Sequence, residues 1–351
     1  MFFSKKKDLV GIDIGSSSVK LVQLREQKGA YQLLNAGILP LPPEAIVDNT
    51  LMDTTSIVDA VRNLVQSLAV KVKDVACSIS GNTVIIRKIK LPAMPAEELE
   101  DQIQWEAEQY IPFDINDVNI DFQILSPDDD DPSRMNVLLV ASKKEIINDY
   151  VSVFAESGLK LVIVDVDSFA VQNAFELNYE TDPEEVVALI NIGASILNLN
   201  IVKGGESLFT RDVQMGGNLF TEEIQKQFGI SGDEAEKIKV TGDFPDQAKL
   251  RDVIAKVNET LAIEIRRSLD FYNTTAGEGK IGTVYLSGGA AKTPMLAEAI
   301  KNKLSVPVEM LDPLRKVVSS EKEFDPDYLQ EIAPLVTVAL GLATRRVGDK
   351  W

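Results

Sequence analysis

The amino-acid sequence predicts an α/β protein made of two similar lobes, and its length, composition and internal repeat together indicate this. The chain has 351 residues, of which 45% are hydrophobic and 26% charged, as is typical of a globular protein with a sizeable core. A strand–turn–strand pattern near the start returns about halfway along the chain. Buried strands and amphipathic helices follow it in both halves, which favours two lobes that face each other across a cleft.

The first copy of the repeat has predicted strands at 9–14 and 19–25 around a Gly-Ser-Ser-Ser turn, with a third strand at 31–38. The second copy has strands at 186–192, 196–202 and 206–215. The segments 13–17 and 191–195 align with an offset of 178 residues. A chance match in a β-rich chain is the alternative.

The remaining segments supply helices and further strands. Apolar spacing predicts helices over 57–68, 95–110 and 144–157, mainly helical sequence over 219–274, and helices over 295–304 and 335–345. Predicted strands lie at 75–80, 84–91, 118–125, 136–141, 159–164 and 283–291.

Composition excludes several classes of function. The chain has no histidine, which excludes Ser-His-Asp and Cys-His nucleophiles and histidine zinc sites. The single Cys77 cannot form an internal disulfide and fits a reducing compartment. A net charge of −18 disfavours nucleic acid as a partner. Neither a transmembrane run nor a signal peptide is predicted, so we expect a cytoplasmic protein.

The acidity is concentrated in one region. Residues 97–131 contain 13 Asp and Glu and no Lys or Arg, with apolar residues such as Leu99, Trp105 and Phe113 interleaved. One interpretation is a solvated helix face followed by an acidic loop. The other is a surface that attracts a segment both basic and apolar.

The first turn has the residue types of a phosphate cradle. Glycine lets the backbone approach a ligand, turn amides and serine hydroxyls are short donors, and a nearby lysine adds positive charge. Asp13, just before the turn, is a candidate for Mg²⁺ through water and for weak catalytic use. An ordinary serine-rich hairpin is the alternative, and no Walker A pattern is present. The candidate phosphate ligands are Gly15, Ser16, Ser17, Ser18 and Lys20.

Three later glycine-bearing strand ends extend this set. Each pair alone is a weak indication, because most such glycines belong to plain turns. Because these strand ends recur in two repeated halves, together they suggest hydrogen-bond donors that face the first turn. One of them also leads into a predicted helix, whose N-terminus suits an anion. The residues are Asn191, Gly193, Ala194 and Ser195, then Gly216, Gly217 and Asn218, then Gly288, Gly289 and Ala290.

These segments carry a resemblance to the superfamily of actin, sugar kinases and heat-shock chaperone ATPases. Residues 11–20, 191–195 and 286–290 resemble its phosphate-1, phosphate-2 and adenosine motifs, and 164–170 and 334–345 resemble its connecting elements. The resemblance implies an actin-like fold that binds ATP or ADP with Mg²⁺. It also places Glu264 and Arg267 beside the ribose and base.

More narrowly, the chain is similar to the PilM family of cytoplasmic actin-like proteins in type IV pilus assembly, over residues 8–347. The segments 91–95, 105–113 and 215–218 carry this match. The family implies a partner, the short cytoplasmic N-terminus of the inner-membrane protein PilN, bound in a groove of the first lobe. Through it the protein would lie at the inner membrane, near other platform proteins and the motor ATPase.

The resemblance also implies a division into subdomains. The first lobe would comprise 1–83, completed by 163–180 and 334–347, with an inserted α/β subdomain at 84–162. The second lobe would comprise 184–220 and 275–333, with a helical subdomain at 221–274.

The phosphate-2 segment departs from the superfamily pattern, which usually begins with Asp. Asn191 is an amide and cannot act as a base or add negative charge near magnesium. We therefore expect at most slow ATP hydrolysis.

Two alternative functions remain open at this point. A sugar or carboxylate kinase of the same superfamily would need a catalytic carboxylate over a substrate hydroxyl, which Asn191 and the acidic insertion disfavour. A filament-forming protein similar to FtsA would carry a C-terminal amphipathic helix, whereas this chain stops after residues 342–351. Phe2, Phe3 and Lys5–Lys7 would bind anionic lipid only weakly.

Overall fold

The computed structural model describes residues 8–128, 131–275 and 279–348. The strands are β1 (Val10–Ile14), β2 (Ser18–Gln27), β3 (Ala30–Pro40), β4 (Ile46–Val47), β5 (Thr50–Leu51), β6 (Asp74–Ile79), β7 (Val84–Pro92), β8 (Val118–Pro127), β9 (Arg134–Lys143), β10 (Lys160–Val166), β11 (Val186–Ile192), β12 (Leu197–Lys203), β13 (Glu206–Val213), β14 (Ile281–Ser287) and β15 (Val308–Met310). The α-helices are α1 (Thr54–Ser67), α2 (Ala96–Ala107), α3 (Lys144–Glu156), α4 (Asp167–Asn178), α5 (Asn218–Phe228), α6 (Gly232–Thr241), α7 (Gln247–Thr275), α8 (Leu296–Leu304), α9 (Pro326–Ile332) and α10 (Thr337–Thr344).

Some sequence-based statements fall outside these ranges. They concern Phe2, Phe3 and Lys5–Lys7, residues 129–130 of the acidic loop, and residues 349–351. Among the helices that the structure describes, none combines the length and the apolar composition of a membrane-spanning segment.

The two lobes are built on sheets of the same topology, which confirms the predicted duplication. The first sheet has the order β3-β2-β1-β6-β10, and the second has the order β13-β12-β11-β14-β15. In each, three consecutive antiparallel strands are followed by two strands parallel to the first of them. All five residues of β1 are buried, as expected for a strand with neighbours on both sides and cover on both faces.

Helices α10 and α4 lie between the two sheets. Helix α10 packs on β1 and on α4, and α4 packs on β12. The approach of α10 to α4 needs glycine, because a Cβ at Gly341 would overlap the carbonyl oxygen of Ala170. The approach of α10 to β1 also needs glycine, because a Cβ at Gly11 would overlap the carbonyl oxygen of Ala339. The two helices therefore fix the spacing and orientation of the lobes.

The insertion in the first lobe has a core of its own. Strands β7, β9 and β8 form a three-stranded antiparallel sheet covered by α2, whose buried stripe is Leu99, Ile103 and Ala107. The predicted span of 84–162 is too long at its C-terminal end. Strand β10 pairs with β6 in the first sheet, and α3 packs into the core under that sheet through residues such as Phe154.

In the second lobe, α5, α6 and the start of α7 enclose a small core around Ile224 and Leu250. The rest of α7 packs against the second sheet from Val257 onward. The boundaries proposed for the helical subdomain, 221–274, remain a prediction.

We expect Gly341→Ala to lower the free energy of unfolding by about 3 kcal/mol, because the new methyl group would force the backbones of α10 and α4 apart. Gly232→Ala is the matched control, since its Cβ would meet only the Gln225 side chain at 3.9 Å. Urea denaturation of both variants tests this. Equal midpoints would contradict the proposed role of the helix crossing.

Candidate functional site

Two hairpin tips, one from each lobe, meet between the sheets. The first is the turn between β1 and β2, closed by a bond from the Gly15 amide to the Ser18 carbonyl at 3.1 Å. The second, between β11 and β12, is closed in the same way by the Gly193 amide and the Ile196 carbonyl at 2.8 Å. The repeated sequence therefore folds into the same turn twice.

The tips touch through their serine side chains. The Ser195 hydroxyl donates to the Ser16 hydroxyl at 2.9 Å, although the two residues are 179 positions apart. Two turns predicted to face one another across a cleft thus lie in direct contact.

A cavity of about 80 Å³ lies beneath the tips. It has room for several water molecules and is smaller than the roughly 300–1,000 Å³ of common ligand pockets. Residues predicted from the sequence that line it are Asp13, Gly15, Ser16, Ser17, Lys20, Asn191, Gly193, Ala194 and Ser195. Residues not predicted that line it include Ser78, Ser80, Tyr150, Asp167 and Asn198.

Lys20 lies over the first turn. Its Nζ is 3.2 Å from Asp13 Oδ2, and both side chains are largely buried. A Cβ at Gly15 would come within 2.6 Å of that Nζ, so glycine leaves the space that the ammonium group occupies. The first tip therefore combines serine hydroxyls with the ion pair of Lys20 and Asp13.

The second tip is buttressed by the segment that starts α5. The amides of Gly217 and Asn218 donate to the carbonyls of Gly193 and Ala194 at 2.9 and 2.8 Å. The Asn218 side-chain amide donates to the Ser195 hydroxyl at 3.1 Å. A Cβ at neighbouring Gly216 would also crowd the Gly193 carbonyl.

The glycines after β14 pack against the same turn. Gly288 has a φ of +88°, and a Cβ there would overlap the Ile192 carbonyl. Ala290 lies beside Gly217, where a Cβ would be 3.3 Å from the alanine methyl group. A Cβ at Gly289 would lie 3.8 Å from the side chain of Leu335.

Nine predicted residues do not line the cavity: the six after β13 and β14 described above (Gly216, Gly217, Asn218, Gly288, Gly289 and Ala290), and Ser18, Glu264 and Arg267. Ser18 is buried in β2 and contributes its carbonyl to the turn. Glu264 pairs with Arg211 of β13 at 3.4 Å and with Arg267 at 3.3 Å. Neither Glu264 nor Arg267 lines the cavity.

Sequence reasoning missed a carboxylate in the cavity wall. Asp167 is the first residue of α4, and its Oδ1 accepts from the Ser78 hydroxyl at 2.6 Å. Burial and the nearby charge of Asp13 raise the pKa of Asp167 to about 7, while hydrogen bonds from Ser78 and Ser80 oppose the shift. The sequence did contain one indication of this role, because Asp167 is an acidic residue that directly follows an apolar strand.

Two further polar residues were also missed. Asp212 of β13 accepts from the amide of Gly81 in the first lobe at 2.5 Å, and burial raises its pKa. Lys239 of α6 donates to the Gly217 carbonyl at 3.4 Å and to the Thr221 hydroxyl at 3.1 Å. Both depend on contacts between segments distant in sequence.

We expect Asp167→Asn to become increasingly stabilising as the pH rises. Because the folded-state pKa of about 7 lies above the ordinary 3.8, the stability associated with the bound proton is complete below about pH 3.8 and is lost as the pH rises through 7. The advantage of the variant in free energy of unfolding should grow by about 3 kcal/mol from pH 5 to pH 8. Urea denaturation at both pH values measures this. The exposed Asp252→Asn is the control, and an unchanged advantage would show that Asp167 titrates normally.

The family described as "Type IV pilus assembly protein PilM" matches residues 11–347. A structure described as the PilM-PilN type IV pilus biogenesis complex is similar to this chain at 30% sequence identity and a TM-score of 0.88. The alignment covers 98% of this chain and 100% of that chain.

More distant structures share the fold alone. The ethanolamine utilization protein EutJ from Carboxydothermus hydrogenoformans is 17% identical with a TM-score of 0.60, over 95% of this chain and 88% of that one. MreB5 of Spiroplasma citri, solved with ADP, is 14% identical with a TM-score of 0.50, over 93% and 98%. Since the family match spans nearly the whole sequence, the chain belongs to the PilM family of type IV pilus assembly proteins, with an actin-like fold.

Proposed function

We propose that this chain is a nucleotide-binding scaffold of the type IV pilus assembly platform. It would hold ATP or ADP between its lobes and bind the N-terminal cytoplasmic tail of PilN through its first lobe. The contact between the hairpin tips carries the nucleotide part of the proposal. Hydroxyls from both lobes converge where Ser16 meets Ser195, and hydroxyl donors grouped in this way suit phosphate oxygens.

Phosphate binding would require the tips to separate. The hydroxyl contact fills the space between them, and the cavity beneath is too small for a triphosphate. Gly15, Ser16, Ser17 and Lys20 would bind phosphate from one side, and Gly193 to Ser195 from the other. The exchange of a hydroxyl–hydroxyl bond for charge-assisted bonds to phosphate would favour this opening.

Asp13 is the proposed anchor for Mg²⁺. Within the described parts of the chain, no group of three or more carboxylate or thiol side chains is placed to hold a metal. Magnesium commonly uses one or two carboxylates, with phosphate oxygens and water as the other ligands, so a single aspartate fits this role. The ion would neutralise phosphate charge when bound.

Hydrolysis would be slow, because the second tip contributes the amide Asn191. Its Oδ1 accepts from the Ser287 hydroxyl at 3.2 Å and its Nδ2 donates to Asn198 at 3.2 Å. Both functional groups of the side chain are thus engaged in structural bonds. A neutral amide cannot accept a proton from attacking water.

The adenosine would lie along the second lobe. We assign Gly216, Gly217 and Asn218 to the phosphates or ribose, because the last two donate hydrogen bonds to the second tip and Gly216 lies against it. Gly288, Gly289 and Ala290 would face the adenosine. Glu264 and Arg267 remain candidates for the ribose and base.

The tail of PilN is proposed to approach the first lobe beside the insertion. The similarity to a PilM-PilN complex supports this partner. Helix α2 presents Glu98, Asp101 and Trp105 on the face opposite its buried stripe, and the residue after the helix, Glu108, continues this face. The Trp105 side chain is 78% exposed. Carboxylates around an aromatic ring suit a segment that is both basic and apolar. Through the tail the protein would lie at the inner membrane.

We expect Lys20→Ala to lower the affinity for ATP–Mg²⁺ by roughly 10- to 100-fold, since one charge-assisted bond to phosphate would be lost. Isothermal titration calorimetry measures this, with the exposed Lys71→Ala as the control. Unchanged affinity in Lys20→Ala would contradict the assigned phosphate site.

We expect the triple reversal Glu98→Lys, Asp101→Lys and Glu108→Lys to slow association of a synthetic PilN N-terminal peptide about tenfold at low salt, with less effect at high salt. Surface plasmon resonance measures the association rate. The same charge change at exposed Glu321, Glu323 and Glu331 is the control. If both triple variants behave alike, α2 is an ordinary solvated face.

A further inference from the structure

A hydrogen-bonded row of side chains crosses the second sheet. Ser287, Asn191, Asn198 and Asp212 lie on the adjacent strands β14, β11, β12 and β13 as register partners. The Ser287 hydroxyl donates to Asn191 Oδ1 at 3.2 Å, Asn191 Nδ2 donates to Asn198 Oδ1 at 3.2 Å, and Asn198 Nδ2 donates to Asp212 Oδ1 at 2.8 Å. We call these four residues the cross-strand ladder.

The ladder ends on the other lobe. Asp212 Oδ2 accepts from the backbone amide of Gly81 at 2.5 Å. Gly81 begins the short turn between β6 and β7, where the first sheet leads into the insertion. One end of the ladder therefore adjoins Gly288 and the second hairpin tip, and the other end contacts the entrance of the insertion.

The carboxylate of Asp212 fixes the direction of every bond in the ladder. The Gly81 amide is always a donor, so the oxygen that faces it must accept. The other oxygen accepts from Asn198, which turns the carbonyl group of Asn198 toward Asn191 and that of Asn191 toward Ser287. With Asn198 in this orientation, an amide at position 212 would place its NH₂ group against one of the two donors.

The turn at Gly81 is held from both sides. Asn49 of the first lobe donates to the Ser80 carbonyl at 2.6 Å. Ser142 of β9, inside the insertion, donates to the Thr83 carbonyl at 2.8 Å. Gly81 itself has a φ of +67°, and a Cβ there would overlap the Asn49 side chain. A displacement of Gly81 would therefore be passed to the start of β7 and to β9.

We propose that Asp212 is a positioning residue that couples the nucleotide-facing strand ends of the second lobe to the insertion through the Gly81 amide. This inference rests on the proposed function, in which nucleotide parts the hairpin tips and the PilN tail binds beside the insertion. Movement of the second lobe shifts the Asp212 carboxylate. The Gly81 amide must then move with the carboxylate or lose its hydrogen-bond acceptor. Nucleotide and tail thereby alter each other's affinity.

The test is calorimetric titration of the full chain with a synthetic PilN N-terminal peptide, with and without ATP–Mg²⁺. In the native protein we expect nucleotide to change the peptide affinity about tenfold. Asp212→Asn should bind each ligand alone within about twofold of the native protein. In this variant, however, ATP–Mg²⁺ should leave the peptide affinity unchanged. The exposed Asp252→Asn should retain the full change.

The double variant Asn198→Asp with Asp212→Asn provides a rescue. The carboxylate would then accept from Asn191 and from the amide at 212, whose carbonyl group would accept from Gly81, so every donor again has an acceptor. We expect the coupling to return in this variant. A requirement for the carboxylate at position 212 itself predicts no such recovery.

The outcomes separate the inference from the proposed function. Coupling that persists in Asp212→Asn, or that is absent from the native protein, overturns the inference while both ligands still bind. Failure of the native protein to bind ATP or the peptide refutes the proposed function, and the inference with it. If Asp212→Asn does not fold, the double variant decides, and a folded double variant without coupling overturns the inference.

Discussion

The close crossing of α4 and α10 is the constraint on which the arrangement of the lobes depends. The two helices lie between the sheets, and Gly341 lets their backbones approach. Because the first sheet packs on α10 and the second on α4, the strand ends of both lobes meet at the hairpin tips. The buried ion pair of Arg345 with Asp165 anchors the end of α10 to the first sheet. A shared core joins both lobes at the crossing, and it includes Phe175 of α4, Leu189 of β11 and Leu342 of α10.

The polar chemistry of the site follows from this alignment. The serine contact at 2.9 Å and the bond from the Gly81 amide to Asp212 both cross between the lobes. Each joins a strand or strand end of the second sheet to a turn of the first lobe. The buried Asp167 lies in the wall of the same cavity, where burial and the charge of Asp13 raise its pKa. In the proposed function, a nucleotide would replace the contact between Ser16 and Ser195. The bond from Gly81 to Asp212 would then transmit the resulting movement to the insertion.

Local patterns in the sequence predicted all the strands except β4, β5 and β15, together with the repeated hairpins and the residues at their tips. The turn around Gly15 is specified by neighbouring residues, so a single sequence reveals it. The extent of the insertion and the partners of Asp212 depend on contacts between distant segments. Strand β10 joins the first sheet by pairing with β6. The sequence pattern at 160–166 predicts a strand but does not indicate which strand it pairs with. Position 167 begins a helix in a linking segment, and only the folded chain brings it to Asp13.

The most direct test of the proposed nucleotide site is a crystal structure of the full chain grown with ATP and Mg²⁺. We predict one triphosphate held between the turns at Gly15–Ser17 and Gly193–Ser195, with the hydroxyls of Ser16 and Ser195 moved apart to contact phosphate oxygens. Nucleotide bound elsewhere on the molecule, with the two hydroxyls still in contact, would contradict this.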